Sequence, residues 1–293
     1  MLKLLVGILM NRVTWEIKQI IKELEKNQIN YDLINNQELQ YEITNQKDLE
    51  KDYTLFLERS LSYFRGLYTS SILETKGYTT INNFECLNIT GNKLLTSLEL
   101  TKQGVPTPRS GVAFKKDAAI ELIEKKFGYP TIIKPLIGSW GRLIAKLDDY
   151  NSALANLECR ESMGDILQKI FYIQDFIKKS SKKKNIPTDM RVFIVGGECV
   201  AAMGRFSPDD DFRSNIAIGG TAKPLELTPQ IREICKKAAK AVNGDIVGVD
   251  LMDDGENIYV IEINGTPQFR GVSKATQINV AEKIVNYITE KYQ

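Results

Sequence analysis

The chain has 293 residues, a formal net charge of +2, and a composition that is 43% hydrophobic and 26% charged. That is room for two or three small domains of a globular protein, and so weak a charge gives no general field for nucleic acid or a membrane surface. There is no histidine, which excludes Ser-His and Cys-His nucleophilic catalysis and histidine metal sites. What remains is chemistry run by cations, carboxylates and positioning, with phosphoryl transfer its leading member.

The opening segment MLKLLVGILMNR runs straight into an amphipathic stretch without a small-residue cleavage site, so a first strand over 2–10 is expected rather than a signal peptide. Trp15, Ile17, Ile20, Ile21 and Leu24 then recur at helical spacing. Short strands over 31–34, 53–57 and 79–81, with a helix over 67–73, complete a small open α/β sheet in residues 1–88. No GxGxxG opens the first helix, so no dinucleotide site is indicated. A second unit, 89–177, carries a helix over 92–103, a strand over 111–114, a helix over 117–127, and strands over 131–135, 143–146 and 171–177. A third, 178–293, begins with the basic run KKSSKKK. It continues with a hairpin about Gly196-Gly197, a helix over 228–242, two apolar strands, and a last helix from Asn279. No apolar stretch approaches the length of a membrane span. Cys86, Cys159, Cys199 and Cys235 are widely spaced with no CxxC pair, the pattern of reduced thiols in a cytoplasmic protein.

Lys134 lies inside the apolar strand TIIKP, where an ammonium needs an anion. Just beyond it, Gly138-Ser139-Trp140-Gly141-Arg142 is a glycine-rich loop whose backbone N–H groups and Ser139 hydroxyl can approach phosphate oxygens. An ordinary hairpin turn is the plainer reading, and no GxxxxGK[ST] Walker loop occurs. Gln174-Asp175-Phe176-Ile177 ends a strand where backbone groups are free to meet a purine edge. Asp189 and Arg191 share a strand face, and Arg205 and Arg213 follow, a set of arginines suited to clamping phosphoryl or carboxylate groups. Residues 215–221, beginning at Asn215, have the look of a strand entering a Gly-Gly turn. The basic run reads as a solvated loop, since a nucleic-acid surface calls for interleaved aromatics and a positive domain.

The most informative feature is a predicted hairpin of IVGVDLM and IYVIEIN about Asp253-Asp254-Gly255-Glu256-Asn257. Asp250 and Glu262 can face each other across its ladder, with Asn264 on the same face as Glu262. A carboxylate in a buried strand is costly unless paired or metal-bound. Converging oxygen ligands suit Mg²⁺, and a buried ion pair with Lys or Arg is the alternative.

Lys93 in GNK, Lys134 in IIKP, then GSWGR, QDFI, DMRVFIVGGE, RSNIAIGG, VDLM and IEIN stand in the order found in ATP-grasp ligases. Over essentially its whole length the chain resembles the RimK-like branch of that family. IGSWGR and EINGTPQFRG are most similar to its LysX- and ArgX-type members, which join an amino acid to a LysW carrier. The resemblance implies an α/β ATP-grasp fold: a small N-terminal open α/β domain (1–88), then two α+β subdomains (89–177 and 178–293) enclosing the nucleotide. It implies ATP and Mg²⁺ as cofactors, with Lys93 and Lys134 on the phosphates, 138–141 as a lid, and Gln174 to Ile177 as the adenine hinge. Asp175 and Asp189 would lie near the nucleoside, Asp250, Glu262 and Asn264 would hold Mg²⁺, and Asn264 would also serve catalysis. Arg191 and Arg213 would touch the acyl phosphate or the incoming amino acid. Arg205, Asn215, Gly265, Thr266 and Arg270 would line the substrate pocket.

The activity so implied is ADP-forming amide synthesis. An acyl phosphate on the C-terminal glutamate of an acidic LysW-type carrier is attacked by the α-amino group of 2-aminoadipate or glutamate, in lysine or arginine biosynthesis. A RimK-type glutamate ligase acting on a pterin, a deazaflavin or a ribosomal protein tail is the alternative, and a non-catalytic nucleotide-binding regulator the second. Besides carrier and small amino acid, no nucleic-acid or membrane partner is expected, and homo-oligomerisation is left open. Two features depart from the branch. The loop over 178–188 is longer, and FRGVSKAT matches neither selectivity pattern.

Overall fold

The computed structural model describes residues 4–44, 49, 51–138, 142–178, 187–206 and 221–292. Strands β1 (Leu5–Met10), β2 (Asn30–Asn35), β3 (Leu55–Glu58) and β4 (Thr80–Ile81) form a parallel sheet in the order β2-β1-β3-β4. Alternation along β1 sorts its side chains to two faces. Val6 and Ile8 pack with Ile17, Ile20 and Leu24 of helix α1 (Trp15–Lys26). Leu9 turns the other way, to Phe56 and to Leu73 of α2 (Tyr63–Thr75). Thr14 caps α1 by accepting from the Ile17 N–H.

Two short helices, α3 (Phe84–Thr90) and α4 (Lys93–Lys102), lead into the second sheet. Asn83 and Asn92 cap them through side-chain oxygens. Strands β5 (Ser110–Ala113), β6 (Thr131–Lys134), β7 (Ala145–Leu147) and β8 (Phe171–Asp175) pair antiparallel in the order β5-β8-β6-β7. Helices α5 (Lys116–Leu122), extended by a π turn through Phe127, and α6 (Tyr150–Met163) cover one face.

The third sheet is antiparallel, in the order β11-β10-β9-β12-β13: β9 (Asp189–Val195), β10 (Glu198–Phe206), β11 (Thr221–Pro224), β12 (Ile246–Asp253) and β13 (Ile258–Asn264). Met190, Val192 and Ile194 of β9 face α7 (Pro229–Ala241). Phe193 and Val195 face the opposite way, into a core shared with α1, α8 (Arg270–Thr276) and α9 (Val280–Tyr292). One continuous apolar core therefore ties the first sheet to the third. The predicted hairpins at Gly196-Gly197 and over 246–264 are present, and both glycines at the first take positive φ. Cys86, Cys199 and Cys235 are buried, Cys159 is exposed, and all four are free thiols. Among the described residues no helix is long and apolar enough to cross a membrane.

Candidate active site

The second and third sheets meet at a cleft lined by Lys93, Thr107, Lys134, Tyr172 and Glu262. Pro106 and Thr107 bridge them, since the Val260 N–H donates to Pro106 O at 2.8 Å and Thr107 Oγ1 to Val260 O at 3.0 Å. Lys134, last in β6, donates from Nζ to Gln174 Oε1 at 2.5 Å. Gln174 Nε2 in turn donates to Ser110 Oγ at 3.0 Å and to the Tyr172 hydroxyl at 3.1 Å. The Tyr172 and Ser97 hydroxyls lie 2.6 Å apart. This buried network holds the ammonium in one place. Burial pushes Lys134 down to about 8; Glu262 works against that shift and the positive Lys93 adds to it. Such a lysine is short of anionic partners.

Lys93 begins α4, and its backbone N–H donates to Leu136 O at 2.9 Å. Its Nζ donates to Gly138 O at 2.9 Å and lies 3.3 Å from Glu262 Oε1. Two lysines and one carboxylate thus converge at the start of the glycine-rich loop. Ser139, Trp140 and Gly141 lie outside the described residues.

Ladder register explains the rest of the site. Asp189 is opposite Arg205, Arg191 opposite Asp250, and Asp250 opposite Glu262. One face of the third sheet therefore carries a charged row in which two arginines meet Asp189 and Asp250, with Glu262 beyond Asp250 at the edge. Arg191 grips Asp250 with two bonds of 2.6 Å, from Nε to Oδ1 and from Nη2 to Oδ2. Arg205 Nη2 lies 3.2 Å from Asp250 Oδ2, and its Nε bonds Asp189. Burial opposes ionisation of Asp250, but the two guanidiniums outweigh it and hold its carboxyl below the usual range. Burial, reinforced by Asp250, pushes Asp189 up to about 7 although Arg205 pulls it down. Both readings of the hairpin meet here: Asp250 is in a buried ion pair, while Glu262 lies at the cleft with less to hold it, and Asn264 is two residues on along β13. Asn264 Nδ2 reaches Gly248 O at 3.5 Å, and its Oδ1 takes part in no described bond. Among the described residues no three His, Cys, Asp or Glu side chains cluster as a metal cage.

At the strand exit Asp175 is engaged by Arg109, whose Nε and Nη2 lie 2.9 to 3.3 Å from its oxygens. Phe176 and Ile177 follow β8 outside the ladder, and none of the described hydrogen bonds uses their backbone groups. Past β13, Gly265 is held by Asn82, a buried side chain absent from the expected set. Asn82 donates to Gly265 O and Ile246 O, both at 2.6 Å, and accepts from the N–H groups of Asp245 and Ile246, both at 2.9 Å. Thr266 continues this tail. Phe269 is fully buried between Trp15 and Phe193, while Arg270 turns away to lie 6.0 Å over the Trp15 ring. Arg205 belongs to the charged row rather than to an open pocket. Arg213, Asn215 and the basic stretch 179–186 lie outside the described residues. Ser97, Ser110, Tyr172 and Asn82 carry no motif that would single them out, because their role comes from cross-strand neighbours.

A RimK-like ATP-grasp domain model matches residues 90–288, and a LysX preATP-grasp domain model residues 6–89. The chain is 36% identical over 288 residues to the glutamate–LysW ligase ArgX of Sulfurisphaera tokodaii, covering 98% of this chain and 99% of that one. It is 32% identical over 278 residues to the alpha-aminoadipate–LysW ligase LysX of Saccharolobus solfataricus, covering 94% and 98%. Among solved structures, a RimK domain ATP-grasp protein from Sphaerobacter thermophilus superposes with a TM-score of 0.78 at 18% identity, covering 96% and 98%, which shows the shared fold.

Proposed function

We infer the function of this chain from one premise: it belongs to the RimK-like ATP-grasp family, preceded by a LysX-type pre-ATP-grasp domain. It is an ATP-dependent ligase that forms C–N bonds. Its reaction joins the α-amino group of glutamate or 2-aminoadipate to the C-terminal glutamate carboxylate of a LysW-type acidic carrier, a step of arginine or lysine biosynthesis. The observation that carries this reading is the near end-to-end match to LysW ligases, on a chain whose cleft gathers Lys93, Lys134 and Glu262.

Lys134 and Lys93 would take the β- and γ-phosphate oxygens, replacing Gln174, Gly138 and Glu262 as partners of their ammonium groups. Phe176 and Ile177 would offer backbone groups to the adenine. A carrier carboxylate oxygen bonds to the γ-phosphorus as the bond to the β-bridging oxygen breaks, leaving ADP and an acyl phosphate. The neutral α-amine then attacks the acyl carbon, and phosphate leaves with the bonding pair. The lysines stabilise charge that develops on the transferring group and need no side-chain nucleophile, in keeping with a chain that has no histidine.

The donor set fits Mg²⁺, which takes one or two carboxylates and completes its octahedron with phosphates and water. Glu262 and Asn264 would hold it at the cleft. Asp250 would join them on release from one guanidinium grip. Bound there, the ion would supply positive charge to offset that of the phosphates. Arg191, beside Asp250, would receive the acyl phosphate or the amino acid carboxylate.

The test is turnover with ATP, Mg²⁺, glutamate or 2-aminoadipate, and a LysW-type carrier, read by nucleotide analysis and intact carrier mass. Expected are one ADP and one phosphate for each amino acid residue gained by the carrier. Stoichiometric AMP overturns the phosphoryl-transfer reading. ADP release with other glutamate acceptors and none with the carrier overturns the carrier assignment.

A further inference from the structure

Arg59 follows β3 at the carboxyl end of the parallel first sheet, the end at which open α/β sheets bind ligands. It is 6% exposed. A guanidinium so buried ordinarily has a carboxylate on it, because an unpaired buried charge is expensive. Among the described residues no ion pair reaches Arg59. Its Nη2 donates to Pro267 O at 2.7 Å, its Nε has no hydrogen-bond partner, and the Phe269 ring lies 5.9 Å from its central carbon. Glu16 and Glu58 attract it only from a distance. Both carboxylates have other contacts: Glu16 Oε1 accepts from the Arg270 N–H at 3.3 Å, and Glu58 Oε1 from the Ser60 N–H at 2.5 Å.

The position of Arg59 along the tail matters as much as its charge. Pro267, whose carbonyl it holds, rests on Gly248: a Cβ built on that glycine would stand 3.1 Å from Pro267, and 3.9 Å from both Arg191 and Asn264. Gly248 is also the ladder partner of Asn264. Arg59, Pro267, Gly248 and Arg191 thus form one packed line from the first sheet into the charged row.

We propose that Arg59 is a specificity residue for the amino acid substrate, binding one carboxylate of a dicarboxylic amino acid at the seam between the first sheet and the tail after β13. A carboxylate accepting from Nε and a terminal nitrogen would satisfy the orphaned donor with the planar, two-bond geometry that Arg offers and Lys does not. This rests on the ligase reading above and adds the residue that selects its acidic amino acid.

The experiment compares glutamate with glutamine, which lacks the side-chain carboxylate, and with isoglutamine, which lacks the α-carboxylate. Calorimetric binding to the ADP-loaded enzyme is measured alongside KM for amino acid, ATP and carrier. In Arg59→Gln the glutamate Kd and KM should rise about 10- to 100-fold, the range for a charge-assisted hydrogen-bonded pair, with the ATP and carrier KM values within about twofold of wild type. The amide whose penalty disappears in this variant identifies the carboxylate that Arg59 holds. Undiminished glutamate affinity, or wild-type discrimination against both amides, overturns the proposal. If Arg59→Gln loses the wild-type circular dichroism spectrum, Arg59→Lys takes its place. There glutamate KM should still rise at least about tenfold, since an ammonium cannot form the planar pair, and an unchanged value overturns the proposal equally. Glutamate that binds through Arg59 but is not transferred to a LysW-type carrier would sink the carrier reading and leave this inference standing.

Discussion

Replacing Glu262 by Gln keeps the shape of β13 and removes one negative charge from the cleft. Its ion pair with Lys93 spans 3.3 Å, with side chains 34% and 12% exposed. Two unit charges at that distance attract by about 1.3 kcal/mol in water-like surroundings and about 5 kcal/mol at an effective dielectric of about 20. Solvent at the cleft mouth places this pair near the lower figure, so folding stability should fall by about 1 kcal/mol. The same deletion frees Lys93 for phosphate. Affinity for ADP without Mg²⁺ should therefore rise, by up to about tenfold for about 1.4 kcal/mol. Turnover should move the opposite way. Losing the carboxylate that would hold Mg²⁺ against the phosphates should cost at least about 10³-fold in kcat, roughly 1.4 kcal/mol for each factor of ten. The assay pairs ADP release across a Mg²⁺ titration with calorimetric ADP binding in chelator. Near-normal turnover at an unchanged Mg²⁺ midpoint would refute the metal role. Weaker Mg²⁺-free ADP binding would refute the electrostatic account of Lys93.

Asp250→Asn strips the shared counter-charge from Arg191 and Arg205, and breaking a buried pair in this way should cost about 3–5 kcal/mol in denaturant titration. A loss under about 1 kcal/mol would mean that the charged row is solvated. Lys134, held down to about 8 by burial, should make Mg²⁺-free ADP affinity dependent on pH. Below about pH 8 the ammonium is already charged and binding needs no proton; above it the anion must recruit one, so affinity falls by up to about tenfold per pH unit. A profile flat from about pH 7 to 9.5, or one that survives Lys134→Met, contradicts that assignment.

Much of the fold was legible because each unit announces its period. The helix expected over 92–103 is α4 with its two caps, and that over 228–242 is α7 with its two. Helix α6 left almost no stripe, since its buried positions are Ala153, Leu157 and the cation Arg160, so local pattern could not reveal it. Helix α8 is likewise hidden in RGVSKAT, where Val272 is the one buried side chain; tertiary packing beside Phe269 makes it helical. In the site, the carboxylates and Lys134 stood out because a charge inside an apolar strand demands a partner. Those partners were not legible. Which guanidinium meets Asp250 depends on β9 lying between β10 and β12, a consequence of sheet order rather than of spacing along the chain. Asn82 and Arg59 were invisible for the same reason, since their partners are 164 and 208 residues away.

A site without histidine has to manage permanent charges, and the charged row shows how this chain does so. In the proposed function Lys93, Lys134 and Arg191 would serve as cations, and with Arg205 nearby four uncompensated cations would repel one another and strain the fold. Asp189, Asp250 and Glu262 offset three of them, and register sets the Arg205–Asp189 and Arg191–Asp250 pairs. The pairs differ in how firmly they are made. Asp250 is locked by two bonds to one guanidinium and a third contact to another, whereas Glu262 touches Lys93 singly at a wetter edge. Exchange of protein carboxylate for phosphate would therefore be cheapest at Glu262 and Lys93, beside the loop that begins at Gly138. It is most costly deep in the row. A nucleotide entering the cleft would displace the loosest pair first and leave the buried row to hold the sheet in register, so that binding and stability draw on different members of the same set of charges.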